Sequence, residues 1–153
     1  YISKTELNMS KVIIYNQENG IMAVCVPAEN CGLTVEEIAA KDCPEGAVII
    51  ESTELDSLDN EFRNAWACDA DMNPSINMEK ARDVWRDKIR IARKPKLAEL
   101  DIQYMRAQEA GADTADIVAK KNKLRDFPSK PEIDSASTVE ELKVIWDNDL
   151  GDK

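Results

Sequence analysis

Lys120-Lys121-Asn122-Lys123-Leu124-Arg125-Asp126-Phe127-Pro128-Ser129-Lys130-Pro131-Glu132-Ile133 ends a long charged region whose apolar residues recur at helical spacing. Proline has no amide proton to give a helix, and it steers the residue before it away from helical angles. Phe127-Pro128 therefore marks a helix stop, and Pro131 is expected to keep the exit extended.

Upstream, between residues 77 and 110, small or apolar side chains return at Ala81, Trp85, Ile89, Ala92, Leu100, Tyr104 and Ala107. Those intervals track the helical period of about 3.6 residues, with one face buried. Pro95 interrupts the run, which predicts a kink or two abutting helices. Gly111 suits a left-handed cap at the helix end. Thr114 is placed to cap a second helix with Ile117, Val118 and Leu124 inward, running to Pro128. Thr138-Val139-Glu140-Glu141 reads as a capping box opening a last helix that carries Leu142, Ile145 and Trp146. An antiparallel helical hairpin with a short terminal helix over residues 77–150 follows.

The other half reads differently. Val12-Ile13-Ile14-Tyr15 and Ile21-Met22-Ala23-Val24-Cys25-Val26 are strand-like runs, and Asn19-Gly20 between them tolerates the positive φ of a tight reversal. A hairpin is expected, with Pro27 ending its second strand. Thr34-Val35-Glu36-Glu37 is another capping box, opening a short helix over residues 35–41. Residues 47–51 give a third strand, and three strands with one helix make the module of residues 11–72. Residues 61–68 stay open between helix and strand. The turn chemistry of Asn73-Pro74-Ser75 places the boundary within residues 71–77. The fold class is α+β, a small module containing a β-hairpin followed by a helical-hairpin module.

The chain starts at Tyr1, while Met9-Ser10-Lys11 reads as a natural start, so residues 1–10 are taken as an extension or flexible N-terminus. Residues 1–79 hold 4 basic and 15 acidic side chains, against 16 and 15 in residues 80–153, so the first half carries −11 and the second +1 of the −10 net charge. No apolar run approaches the roughly 20 residues of a membrane span. With no basic-then-apolar leader, cytoplasmic synthesis is expected.

Chemistry finds few handles. There is no histidine, which removes the usual general base near neutral pH. No Gly-rich phosphate loop, nucleophile elbow or helical metal motif occurs. Cys25, Cys31, Cys43 and Cys68 include no C-x-x-C pair and are read as reduced, partly buried thiols. No catalytic, cofactor-binding or metal-ligating residue is assigned, and the expectation is a protein that is not an enzyme. The basic run Lys80, Arg82, Arg86, Lys88, Arg90, Arg93, Lys94 and Lys96 is interleaved with Glu79, Asp83 and Asp87. A solvated helix surface, or a face docking on the acidic module, explains it better than nucleic-acid binding. Trp85 lies on the helical stripe and is read as core, whereas Trp66 and Trp146 are balanced between core and interface anchor.

An arginine-rich helix from Lys80 to Leu100, a second helix after Gly111, and the closing Leu124-Arg125-Asp126-Phe127-Pro128 with Pro131 resemble the bacteriophage tail fibre assembly protein, or phage tail assembly chaperone, family. Asn30-Cys31-Gly32-Leu33-Thr34-Val35-Glu36-Glu37-Ile38-Ala39-Ala40-Lys41-Asp42 and Phe62-Arg63-Asn64-Ala65-Trp66 also resemble the start of phage proteins encoded near tail genes. Two features depart from the family pattern: Phe127 stands where tryptophan is common, and the chain runs on through Thr138 into a further helix. The resemblance implies a non-enzymatic chaperone that binds a phage tail fibre or tail polypeptide in the host cytoplasm. Its contact residues would include Trp66, Leu124, Arg125, Phe127, Pro128, Pro131 and Trp146. The alternatives are a minor tail or tail-tip component kept in the virion, and an acidic inhibitor of a host DNA-binding or defence enzyme.

Overall fold

The computed structural model describes residues 11–28 and 30–153; the extension expected over residues 1–10 lies outside them. The architecture is α+β: a small antiparallel sheet in the N-terminal region, followed by helices. Two compact units divide between Asn77 and Met78.

In the first unit, β1 (Lys11–Asn16), β2 (Met22–Cys25) and β3 (Val48–Glu51) form an antiparallel sheet in the order β2-β1-β3. The β1–β2 reversal uses Gly20 at φ 72°, and the Asn19 carboxamide oxygen accepts the Ile21 amide at 2.9 Å. That is how Asn-Gly makes a tight turn. Because β1 is central and covered on both faces, its three consecutive apolar residues all go inside. Val12 and Ile14 join Met22, Ile50, Trp66 and Cys68 on one face, while Ile13 meets Val35 and Ile38 on the other. The second face is supplied by α1 (Val35–Asp42), opened by a complete capping box: Thr34 Oγ1 accepts from the Glu37 amide and Glu37 accepts from the Thr34 amide.

Residues 61–68 turn out to be both things in succession. A 3₁₀ segment, Asn60–Ala65, leads into β4 (Trp66–Cys68), which pairs with β5 (Pro74–Ile76). The module thus holds two more strands than the three expected, and Pro74-Ser75 lies in a strand instead of a turn. The reversal sits one step earlier, where Asp69 accepts from the amides of Asp71 and Asn73 and holds the loop closed. Pro74 is tolerated because it opens the strand. Asn16 ties the two sheets together: its carboxamide donates to the Cys68 carbonyl at 3.0 Å and accepts the Cys68 amide at 2.8 Å.

The second unit is built on α2 (Met78–Glu109), a single helix of 32 residues that passes through Pro95. Two abutting helices are therefore not what forms. Pro95 is exposed, so water can satisfy the carbonyl its missing amide leaves free. The helix ends in a Schellman motif: Gly111 at φ 65° donates to Gln108 O and Ala112 donates to Ala107 O. After that turn come α3 (Ala115–Asp126), a 3₁₀ turn (Phe127–Ser129), α4 (Pro131–Ser135), α5 (Val139–Val144) and a last 3₁₀ turn (Asn148–Leu150).

Several local expectations are corrected. Thr114 makes no side-chain cap; Asp113 accepts the Ala115 amide in its place. Val118 is exposed, leaving Leu124 as the buried residue of α3. Phe127 keeps helical angles (φ −54°, ψ −43°) despite the following proline. The helix therefore tightens into a 3₁₀ turn, and Pro131 opens α4 at its first turn, where a proline fits well, so the exit is not extended. Trp146 falls beyond α5, after an inverse γ-turn at Ile145 in which Trp146 N donates to Val144 O at 2.8 Å.

Candidate partner-binding surface

The interior of the helical unit comes from opposite ends of its sequence. Ala81, Trp85 and Ile89 of α2 are 0% exposed. The returning chain buries Leu124, Phe127, Ile133, Ala136, Val139, Leu142 and Leu150. Beyond Ile89, α2 has no buried residue, although the last 3₁₀ turn still lies along it, Asp149 sharing a cleft with Lys96 and Leu100.

Three arginines of the basic run fasten the return to α2. Arg93 donates to the carbonyls of Leu124, at 3.2 Å, and Arg125. Arg86 reaches the Pro128 carbonyl at 3.3 Å and the Asp83 and Asp134 carboxylates. Arg82 grips the Ala136 carbonyl through two nitrogens, at 3.2 and 2.9 Å. Partner numbers rise as the arginine numbers fall, which is the register of an antiparallel return. These carbonyls lie at the ends of α3, the 3₁₀ turn and α4, where a helix leaves acceptors unsatisfied and carries partial negative charge. Neither a generally solvated helix surface nor a face for the acidic module describes these three side chains; each reaches main-chain oxygens of its own unit, and Arg86 two carboxylates as well. The spacing of 82, 86 and 93 was visible, but nothing in a sequence marks which backbone carbonyls will come within reach.

Aromatic packing closes the other end. Trp85 and Trp146 meet edge-on with centroids 5.6 Å apart, and the Lys88 ammonium sits 4.9 and 5.4 Å from the two ring centres. Each indole has a hydrogen-bond acceptor: Trp85 donates to Ile145 O at 3.0 Å and Trp146 to Gly151 O at 2.8 Å. Lys123 bridges Asp147 and Asp149 at 2.9 and 2.6 Å. The Asp149 amide, then Lys123, hold the Asp147 carboxyl below its usual pKa.

The expected contact residues therefore separate by burial. Leu124 and Phe127, at 2% and 1% exposed, and Pro128 are interior. Trp66, 3% exposed, is core of the first unit, with its indole donating to Asp59 O. All four are packed inside the fold of their own unit. Arg125 and Pro131 are exposed and Trp146 is half-buried. Sequence reading missed Val144, 79% exposed beside Trp146, because it sits in the apolar run of the last helix and only the fold shows which side turns outward. A shallow cleft of about 180 Å³ lies along Lys96, Leu100, Gln103, Lys120 and Asp149, with mixed charge around its apolar floor.

Among the described residues, no three histidine, cysteine or carboxylate side chains gather as a metal site. Cys25, Cys31, Cys43 and Cys68 are free thiols. Burial, reinforced by the neighbouring Cys25, pushes the Cys43 thiol up, and burial does the same at Cys68. No helix among the described residues is long and apolar enough to cross a membrane. Comparison of the chain with protein-family models, with curated proteins and with solved structures finds no match.

Proposed function

We propose that this chain is a non-enzymatic assembly factor of a tailed bacteriophage that binds a tail fibre or tail polypeptide in the host cytoplasm. A fibrous oligomer buries its apolar surface only when its chains meet, so each waiting chain exposes strand edges that invite misassembly. A small, strongly acidic partner would cover such a chain and keep the complex dispersed.

The observation that carries the reading is the closing Leu124-Arg125-Asp126-Phe127-Pro128 with Pro131 and the helical plan around it. In the folded unit, Leu124, Phe127 and Pro128 are interior and their stretch is gripped by Arg86 and Arg93. The motif is then a scaffold signature, and contact falls to what it leaves outside: Arg125, Pro131, Trp146 and the adjacent Val144. An exposed valine beside a half-buried tryptophan suits the apolar centre of a small interface with a polar rim.

The test is co-expression of the fibre gene that neighbours this one, with and without this chain. The expected result is more soluble, correctly oligomeric fibre when it is present, and loss of that gain with Val144→Asp. Equal fibre yields in both cases would remove the proposal. Stoichiometric recovery of the chain from purified virions, with no effect on fibre yield, would favour the retained tail component.

A further inference from the structure

The outward face of α2 carries an apolar stripe that its own unit does not use. Starting at Ile91, the spacing runs 4, 3, 4, 3 through Pro95, Ala98, Ile102 and Met105, the repeat of a two-stranded coiled-coil seam. At about 3.6 residues per turn these five lie roughly half a turn round the helix from Ile89, Leu100 and Ala107 on the inward side. All five are exposed, with Ile91 at 74%, Ile102 at 46% and Met105 at 55%.

Flanking charges choose an occupant. With Pro95 and Ile102 at the first core position of the heptad and Ile91, Ala98 and Met105 at the fourth, Lys94 and Asp101 fall on one edge and Glu99 and Arg106 on the other. In a parallel, in-register pair, an edge residue faces the residue five further on in the other helix. Lys94 then meets Glu99, and Arg106 meets Asp101, which also pairs with Lys121 of its own chain at 2.6 Å; twofold symmetry doubles both pairs. An antiparallel pairing keeps Lys94 opposite Asp101 but sets Glu99 against Ala92 and Arg106 against Trp85. The small Pro95 and Ala98 layers allow close approach. We infer that a second copy of this chain docks in parallel along Ile91–Met105, making a weak homodimer. The inference stands apart from the assembly role: a monomer would leave that role intact.

Sedimentation velocity from about 1 μM to 1 mM tests it, a range that brackets the affinity expected of so short a seam. The wild-type chain should move with loading concentration from 17.2 kDa towards twice that mass. Ile102→Glu, on the surface and away from the core, should stay monomeric with unchanged far-UV circular dichroism. Lys94→Glu should raise the dissociation constant on the order of tenfold, since two attractive pairs become repulsive. Adding Glu99→Lys should restore it; within its own helix the Glu99 carboxylate accepts a long hydrogen bond from Gln103, at 3.4 Å. A wild-type monomer throughout, a dimer indifferent to Ile102→Glu, or a Lys94→Glu defect not rescued by Glu99→Lys would each overturn the proposal. In the first case the stripe belongs to a different polypeptide.

Discussion

Replacing Arg93 with methionine keeps a long apolar stem and removes the guanidinium that closes α3. Two hydrogen bonds go with it, to the Leu124 and Arg125 carbonyls. A hydrogen bond from a charged donor is worth about 1.5–3 kcal/mol, and a buried acceptor left alone costs its desolvation as well. Leu124 is 2% exposed whereas Arg125 is exposed, so water replaces the second partner and not the first. The expected loss is therefore about 2 kcal/mol, the contribution of roughly one charged hydrogen bond. Arg90→Met is the control, because its guanidinium pairs with Asp87 at 2.7 Å on the open surface, and such pairs contribute only about 0.3 kcal/mol. Urea unfolding followed by fluorescence of Trp85 and Trp146, in a Trp66→Phe background, reads the helical unit alone. The midpoint should fall for Arg93→Met with an unchanged slope, the sign of a stability change without a change in exposed surface. If the two variants differ by less than about 0.5 kcal/mol, the arginine-to-carbonyl account of the hairpin is wrong.

Phe127→Ala empties a site 1% exposed and should cost about 3–5 kcal/mol, melting the helical unit while fluorescence of Trp66 still reports a folded first unit. Pro95→Ala restores an amide in an exposed helix position and should stabilise the same unit by about 1–3 kcal/mol in urea titration. With no histidine, depressed Asp69, Asp147 and Glu141, and raised Cys43 and Cys68, stability should be flat between the carboxylate and thiol ranges. A carboxyl with a lowered folded-state pKa stabilises above its unfolded value and loses that as pH falls through the folded one. Asp147→Asn should accordingly shallow the fall in stability below pH 3.8, measured by thermal melts across pH.

How much of this was written in the residues depends on the range over which each signal acts. The Asn19-Gly20 reversal, the Thr34 capping box and the Trp85–Ile89 stripe are local codes that a few neighbouring side chains enforce, and each appears in the fold. The β4–β5 pair escaped because Trp66-Ala67-Cys68 and Pro74-Ser75-Ile76 are three residues each, too short for any periodicity, and depend on Asn16 from 52 positions away. The break expected as one alternative at Pro95 does not form, because helix breaking is decided by whether solvent can reach the orphaned carbonyl, a property of the face and not of the residue. Burial divides the expected contact set for a related reason. Phe127-Pro128 reads as an exit, yet a large aromatic at a chain reversal beside Arg86 and Arg93 is drawn into the interior, whereas Arg125 and Pro131 of the same set stay outside and Val144 joins them.

The β1–β2 turn also governs how this protein ages. Asparagine followed by glycine is the pair most prone to spontaneous deamidation, in which the glycine nitrogen attacks the asparagine side chain to form a cyclic imide. Here that nitrogen is committed to the Gln17 carbonyl at 2.8 Å and the side-chain oxygen is held by Ile21. Chemical damage at Asn19 therefore accumulates only in molecules whose turn has opened, so its rate in stored material is a slow clock of how often the first hairpin comes apart.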